Sequence, residues 1–190
     1  MSLKRIAILF SGEGSNLEAL IQALHGKRFG DTTIEVALTL TNRPEAKGIA
    51  RARKYGLQST VLDHTRFSNR ESFDAQLVQI IQQHDIDLTV LAGFMRILTP
   101  VFTEAVHAIN IHPSLLPLFK GANALQRSWE SEMKVAGVTT HMVSTELDSG
   151  TIVDQACFSK EGLDFATFCA KIHETEHRLY PESIKKILLA

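Results

Sequence analysis

Short runs of consecutive apolar residues recur through the first half of the chain, and stretches with an apolar stripe on one helical face separate them. Such runs are typical of strands buried on both faces of a sheet, and the stripe is typical of amphipathic helices. The pattern predicts strands over residues 5–10, 34–41, 59–62, 88–92 and 108–112. It predicts helices over residues 16–24, 46–55 and from a capping box at 68–71 to about residue 84.

This alternation predicts an α/β fold, with an open, doubly wound, mostly parallel sheet that carries helices on both faces. In such a sheet, ligands bind beyond the carboxyl ends of the strands. The second half of the chain has a different pattern. It predicts a helix over 124–132 and two strands, 138–143 and 152–158, around a turn at 148–150. It also predicts a last helix from about Asp164, interrupted or kinked near Pro181.

The bulk composition is that of an ordinary globular protein. Hydrophobic residues make up 44% and charged residues 22%, and the formal net charge is −1. No apolar run approaches the roughly 18 residues of a membrane helix, and no basic cluster indicates nucleic-acid binding. Cys157 and Cys169 form no CxxC pair, so we expect a reduced, cytoplasmic protein without a disulfide.

The segment SGEGSN, residues 11–16, lies between the first predicted strand and the first helix. Gly12 and Gly14 would let a ligand approach the backbone, and the N–H groups at a helix start favour an anion. The residues alone leave open whether this is a phosphate site or a tight turn. It is not a dinucleotide fingerprint, because Leu17 stands where a third small residue is required.

The segment NIHPSLLP, residues 110–117, places Asn110 and His112 on one face of a predicted strand. The following proline holds His112 extended. The pair could supply an oxyanion donor and an acid or base, or could only satisfy loop backbone. Asp148, in a turn, becomes relevant if the fold brings it near His112, because a carboxylate there would favour the imidazolium.

Two further segments have equally open interpretations. Residues 91–98, LAGFMRIL, could line an apolar pocket or belong to the ordinary core. Glu176 and His177 on the last helix would by default be solvated. The histidines show no HxxH or HxH spacing, so no metal site is predicted.

Five segments together resemble the phosphoribosylglycinamide formyltransferases, a family of folate-dependent enzymes of de novo purine synthesis: SGEGSN, LAGFMRIL, NIHPSLLP, ELDSG and EHRLYP. The resemblance covers residues 5–181. It implies a Rossmann-like formyltransferase fold and transfer of the formyl group of 10-formyltetrahydrofolate, the co-substrate, to the amine of glycinamide ribonucleotide. The implied organisation is a single domain, 1–190, with a nucleotide- and phosphate-binding half at 1–107 and a catalytic and folate-binding half at 108–190.

The resemblance also implies roles for individual residues. The catalytic residues would be Asn110, His112 and Asp148. The substrate would bind to Gly14, Ser15, Asn16, Arg70 and Glu176. The folate would bind between a wall formed by Met95, Arg96, Ile97 and Leu98 and a second wall from Val143 to Asp148, close to Asn110.

At two positions the chain departs from the family pattern. Glu13 stands where the family usually has asparagine. A carboxylate aimed at a bound phosphate would repel it, so we expect Glu13 to face solvent. Asn123 stands where the family normally has a histidine, near the expected site but outside the catalytic trio.

Three other functions are compatible with parts of this sequence. Formyl transfer to methionyl-tRNA would need a further C-terminal nucleic-acid-binding domain and a basic surface, which a net charge of −1 does not favour. Hydrolysis of 10-formyltetrahydrofolate would use water as the nucleophile, and those relatives carry an added N-terminal domain. A non-catalytic phosphate-ligand binding module is the third. We expect small-molecule substrates, no nucleic-acid or membrane partner, and a monomer or homodimer.

Overall fold

In residues 2–190, which the computed structural model describes, eight strands form one sheet with helices on both faces. The strands are β1 (Ser2–Phe10), β2 (Lys27–Phe29), β3 (Thr32–Thr41), β4 (Ser59–Val61), β5 (Leu88–Leu91), β6 (Ala108–His112), β7 (Val135–Met142) and β8 (Ile152–Ser159). The helices are α1 (Ser15–Leu24), α2 (Gly48–Arg53), α3 (Arg70–Gln82), α4 (Pro100–Thr103), α5 (Ala124–Glu130) and α6 (Phe165–Leu188), with a 3-10 turn at His64–Arg66.

The sheet has a parallel part and an antiparallel part. Strands β4, β3, β1, β5 and β6 run parallel in that spatial order, whereas β7 pairs antiparallel with β6 and β8 pairs antiparallel with β7. The short β2 pairs antiparallel with the start of β3. The predicted α/β class, with an open and mostly parallel sheet between helices, is thus confirmed.

The core consists of two layers, one on each face of the sheet. Along β1, Ile8 and Phe10 pack on the face covered by α1 and α6, while Leu9 packs on the face covered by α3 and α4. Successive side chains of a strand point to opposite faces, so a central strand covered on both sides is apolar throughout. This double burial explains why β1 appears in the sequence as an unbroken apolar run.

One helix start is predicted wrongly, and at Pro181 the structure excludes one of the two predicted outcomes, an interruption of the last helix. The capping box at 68–71 does not form, because the N-cap of α3 is Asn69, whose side chain accepts the Ser72 N–H at 2.8 Å. Helix α6 is not interrupted at Pro181. Tertiary bonds hold the helix beside the proline, since the single hydroxyl proton of buried Tyr180 is shared between the Leu91 and Ile109 carbonyls, both 3.0 Å from the oxygen.

Some short elements also differ from expectation. Helix α2 begins at Gly48 rather than at residue 46, and the Gly48 N–H donates to the Gly12 carbonyl at 3.0 Å. Strand β2 and helix α4 were not predicted, because three- and four-residue elements leave little periodic signal. Within residues 2–190, no helix is both long enough and apolar enough to cross a bilayer.

Candidate active site

At the carboxyl end of β6, Asn110 and His112 project from the same face of the strand, as their spacing predicts. His112 Nδ1 lies 3.3 Å from Asp148 Oδ2, and both side chains are buried. The fold therefore brings together the three residues that sequence analysis expected to form the catalytic trio, although Asp148 follows His112 by 36 residues in the chain.

The turn that carries Asp148 is held by its backbone geometry. Met142 and Thr151 close the base of the turn through a Met142 N–H to Thr151 carbonyl bond of 2.8 Å. A Cβ atom at Gly150 would lie 1.7 Å from the Met142 carbonyl oxygen, so only glycine fits there. Asp148 itself has φ 49°, in the left-handed region that aspartate tolerates better than most residues.

A fourth side chain, His141, belongs to this cluster and was not predicted. It lies on β7 directly across from Asn110, and its Nε2 is 3.3 Å from Asn110 Nδ2 and 3.6 Å from Asp148 Oδ1. Its Nδ1 lies 3.0 Å from the Met142 carbonyl oxygen. The spacing of histidines along the chain does not indicate that His141 belongs to the site. The register between antiparallel β6 and β7 indicates it, because it places His141 opposite Asn110, a candidate catalytic residue.

The environment of Asp148 favours its ionised form. Burial opposes ionisation and is the largest single influence on the pKa of this carboxyl. The contact with His141, the Gly121 N–H that donates to Oδ2 at 2.8 Å, and the nearby His112 act in the opposite direction. Together they hold the pKa of Asp148 below its usual value, so at neutral pH it is a carboxylate that can hold an imidazole in place.

The loop that follows β6 reaches the other side of the His112 ring. His112 Nε2 lies 2.9 Å from the Phe119 carbonyl oxygen, and Phe119 has φ 57°. Each ring nitrogen thus faces an oxygen acceptor, Phe119 O on one side and Asp148 on the other. An imidazolium can donate to both at once, which suits a group that is to act as a hydrogen-bond donor.

A second part of the site is the turn from β1 into α1, residues 12–16, here called the phosphate loop. Gly14 precedes α1 with φ 76°, and a Cβ there would lie 2.6 Å from Gly48 Cα, so glycine is required. The first N–H groups of a helix, here those of Ser15 and Asn16, have no partners within the helix and point outward from its end. These donors, with the positive end of the helix dipole, are suited to an anion.

Glu13 lies on the outer side of the phosphate loop. Its side chain is 66% exposed, and Oε1 lies 2.8 Å from Lys47 Nζ. The Glu13 carbonyl accepts from Arg51 Nε at 2.7 Å, which ties the loop to α2. The expectation that Glu13 faces solvent is confirmed. Asn123, the other departure, is exposed with φ 58° at the start of α5.

The last helix brings Glu176 to the phosphate loop. Its carboxylate is buried, and Oε2 accepts from Asn16 Nδ2 at 3.1 Å and from His173 Nδ1 at 3.0 Å. The default interpretation of Glu176 as a solvated residue is therefore wrong. Arg70 is exposed at the first turn of α3, and no hydrogen bond or ion pair within residues 2–190 joins it to the phosphate loop.

Residues 95–98, here called the folate wall, follow β5. The side chains of Met95 and Ile97 are 71% and 57% exposed, so they do not belong to the core. Leu98 is half-buried against the α3 layer, and the Arg96 guanidinium lies 5.3 Å from the centre of the Phe73 ring.

Val143, the first residue of the expected second wall, is held by its backbone. Its N–H donates to the Ala108 carbonyl at 2.8 Å.

Comparison with known proteins places this geometry in a family context. A family model described as formyl transferase matches residues 4–184. The chain is 38% identical over 188 residues to the phosphoribosylglycinamide formyltransferase of Haemophilus influenzae, covering 96% of this chain and 86% of that protein. It is 54% identical to the phosphoribosylglycinamide formyltransferase of Campylobacter jejuni, whose crystal structure superposes with a TM-score of 0.96 and 97% coverage of both chains.

The same sequence also matches part of a much larger protein. Over 186 residues the chain is 36% identical to the trifunctional purine biosynthetic protein adenosine-3 of Gallus gallus. The matched region covers 96% of this chain but only 18% of the length of the trifunctional protein.

Proposed function

The chain belongs to the formyl transferase family, and on that premise we propose that it transfers the formyl group of 10-formyltetrahydrofolate to the amine of glycinamide ribonucleotide. The products are formylglycinamide ribonucleotide and tetrahydrofolate, and the reaction is a step of de novo purine synthesis. The observation that carries the proposal is the convergence of Asn110, His112 and Asp148 at the carboxyl end of β6.

In this mechanism Asn110 and His112 stabilise the charge that develops on the formyl oxygen. The substrate amine attacks the formyl carbon, and the carbonyl oxygen becomes a tetrahedral oxyanion. The Asn110 amide can donate one hydrogen bond to that oxygen, and the His112 imidazolium can donate a second after the Phe119 carbonyl yields its place. The Asn110 donor needs no such displacement, whereas the His112 donor becomes available only when the loop at Phe119 shifts; once aligned, the two donors stabilise the oxyanion.

Asp148 and His141 act on these donors. The Asp148 carboxylate orients the His112 ring and balances its positive charge, as its lowered pKa allows at neutral pH. His141 Nε2 lies 3.3 Å from Asn110 Nδ2 and 3.6 Å from Asp148 Oδ1, so it can accept from Asn110 when Nε2 carries no proton or donate to Asp148 when it does, but not both at once. The proton lost by the attacking amine is relayed through Asp148 and water, and His112 delivers a proton to the folate nitrogen as the carbon–nitrogen bond breaks.

The phosphorylated substrate would lie along the phosphate loop. The N–H groups of Gly14, Ser15 and Asn16 would hold its phosphate, with Arg70 as a basic contact at the rim. Glu176 would receive the glycinamide amine, because Oε2 is already bonded to Asn16 and His173, and Oε1 is left for the ligand.

The folate would lie between two walls. Met95, Arg96, Ile97 and Leu98 would form the first, and the exposure of Met95 and Ile97 leaves an apolar surface for the pterin. The turn from Val143 to Asp148 would form the second wall and read the pterin through backbone groups. This arrangement puts the formyl group beside Asn110.

We further propose that the chain works in the cytoplasm on small molecules, as a monomer or homodimer and without a nucleic-acid partner. Residues 1–107 would supply most contacts to the phosphate and 108–190 the catalytic residues, within one domain. Both cysteines are free thiols, which suits a reducing compartment. Light scattering of the purified chain would give the oligomeric state.

The decisive experiment is to incubate the protein with glycinamide ribonucleotide and 10-formyltetrahydrofolate and to follow release of tetrahydrofolate. Release that depends on both substrates is expected. Release without the ribonucleotide would instead identify a hydrolase, because water would then be the acceptor. Binding of both ligands without any release would identify a non-catalytic module.

A further inference from the structure

Ser11 is the first residue after β1, at the centre of the sheet, and it opens the turn that becomes the phosphate loop. It is only 2% exposed. Its main-chain N–H donates to the Gly93 carbonyl at 3.1 Å, and its Oγ accepts the Met95 N–H at 2.7 Å. The segment that leads into the folate wall is therefore bonded twice to the residue that opens the phosphate loop.

The Ser11 hydroxyl is itself oriented by Asn42, the residue that follows β3. Ser11 Oγ donates to Asn42 Oδ1 at 2.6 Å, and Asn42 is fully buried with its Nδ2 3.3 Å from His64 Nδ1. Because a hydroxyl has one proton, donation to Asn42 leaves its lone pairs for the Met95 N–H. One network thus joins the residues that follow three adjacent strands, β3, β1 and β5.

The folate wall depends on such backbone bonds for its position. The side chains of Met95 and Ile97 are mostly exposed, so core packing does not fix them. At the far end of the wall, buried Asp74 accepts the Thr99 N–H at 2.6 Å and the Thr99 hydroxyl at 2.7 Å. Asp74 thus anchors the folate wall alone, whereas Ser11 bonds to the folate wall and also begins the phosphate loop.

We infer that Ser11 is a positioning residue that fixes the spacing between the phosphate loop and the folate wall, so that the two substrates meet at reacting distance. The inference rests on the proposed function, in which these two segments hold the two substrates. Transfer between two bound molecules is sensitive to their alignment, and a displacement of about 1 Å can cost about 100-fold in rate. Ser11 contacts both binding segments, so its position determines how the two substrates are aligned.

The test is Ser11→Ala, which leaves the part-buried Met95 N–H without its acceptor. Dissociation constants for glycinamide ribonucleotide and for tetrahydrofolate, each measured alone by calorimetry, should both rise by about tenfold. The turnover number with both substrates should fall by about 100-fold because alignment is lost. Thr99→Val should weaken binding of tetrahydrofolate only.

Ser183→Ala is the matched control, since Ser183 is another fully buried serine, bonded to Thr140 Oγ1 at 2.8 Å on β7 and α6. It should leave both dissociation constants unchanged. If Ser11→Ala behaved like Ser183→Ala, or weakened one ligand only, the inference would be overturned. If Ser11→Ala does not fold, Ser11→Cys, a weaker acceptor, should still give a smaller loss for both ligands, and unchanged binding would again overturn it.

The binding measurements need no turnover. A wild-type protein that bound both ligands without transferring formyl would contradict the proposed function, while weaker binding of both ligands by Ser11→Ala would still support the role of Ser11.

Discussion

The phosphate loop and the catalytic cluster lie at the same edge of one sheet but are built in different ways. The phosphate loop offers the main-chain N–H groups at the start of α1, including those of Ser15 and Asn16, and its shape depends on Gly14. The catalytic cluster consists of side chains from three separate segments, with Asn110 and His112 on β6, His141 on β7 and Asp148 in the turn that follows.

The difference follows from strand direction. At the end of a parallel strand the chain must turn into a helix, and the helix start supplies free N–H groups whatever the side chains are. Antiparallel β7 instead runs back beside β6, so a cross-strand neighbour can reach into the cluster. If the proposed function holds, binding of the substrate phosphate should therefore tolerate side-chain changes, whereas stabilisation of the oxyanion should depend on particular side chains. This contrast is open to test.

The largest effect is expected from His112→Ala. The substitution removes an oxyanion donor and the proposed proton donor together, so the turnover number should fall by about 1000-fold. The Michaelis constant for glycinamide ribonucleotide should change little, because the phosphate loop is untouched. Steady-state kinetics with both substrates measures the two constants.

His25→Ala is a suitable control for that variant. His25 is half-buried, and its ring accepts the Val36 N–H at 3.1 Å, but it lies directly after α1, away from the cluster. It should affect thermal stability without lowering turnover. Near-normal turnover in His112→Ala, or in Asp148→Ala, would show that the cluster does not carry the chemistry.

His141→Ala should have the next largest effect. It removes the contact with Asn110 Nδ2 and one of the interactions that keep Asp148 ionised. Because the donors themselves remain, we expect a turnover number lower by about 10- to 100-fold, which is the usual cost of a misplaced group. The pH–rate profile should also change, since His141 is one of the groups that lower the pKa of Asp148. An unchanged rate and profile would restrict the cluster to three residues.

Gly14→Ala tests the phosphate loop, where we expect an effect on the Michaelis constant rather than on the turnover number. The added Cβ would collide with Gly48 Cα and would sit at a positive φ, so the loop must move. The Michaelis constant for the ribonucleotide should rise by about tenfold, whereas the turnover number at saturation should stay within a few fold. Gly56→Ala is matched, with the same φ of 76° but open space around it. It should lose only about 1 kcal/mol of stability.

Much of the fold could be predicted because it depends on local signals. The buried strands β1 and β5 appear as apolar runs, and α1 has its stripe of Leu17, Leu20, Ile21 and Leu24. The errors occur where tertiary contacts decide the outcome. Helix α6 continues through Pro181 because Tyr180 is bonded to two strands, and nothing in the local sequence indicates those partners.

The site was predicted unevenly for the same reason. The phosphate loop is contiguous, so SGEGSN could be identified directly. Asn110 and His112 share a strand, but only resemblance to a family joined them to Asp148, because Asp148 lies 36 positions after His112 in the chain. His141 was missed since its relation to Asn110 exists only in the register of β6 with β7. Burial of Glu176 likewise depends on where α6 crosses α1.

Arg70→Ala should have a smaller effect than Gly14→Ala. Arg70 is exposed at the start of α3, so its attraction to a phosphate is screened by water and salt. We expect a rise of about two- to fivefold in the Michaelis constant for the ribonucleotide, diminishing at high salt. Arg66→Ala removes a neighbouring exposed arginine and should leave the constant unchanged. Equal effects from both would indicate only a general loss of positive charge.

The smallest effect concerns His173, which is bonded to Glu176 beside the phosphate loop. The hydrogen bond to Glu176 raises the pKa of His173 above its ordinary value of 6.5, although burial acts against this. A raised pKa means that the charged His173–Glu176 pair stabilises the folded state fully below about pH 6.5, and that this stabilisation disappears as the pH rises through the folded pKa.

His173→Gln should therefore reduce the free energy of unfolding more at pH 5.5 than at pH 8.5, by a small amount because the imidazole is about half exposed. His177 also lies near Glu176. Burial lowers the pKa of His177, the Glu176 carboxylate raises it, and the nearby charges of His173 and Arg51 lower it further, so His177 is harder to protonate when His173 is charged. Urea unfolding at the two pH values, for wild type and variant, measures the difference. A larger loss at pH 8.5 would contradict the pairing, because a neutral imidazole would then be the stabilising form.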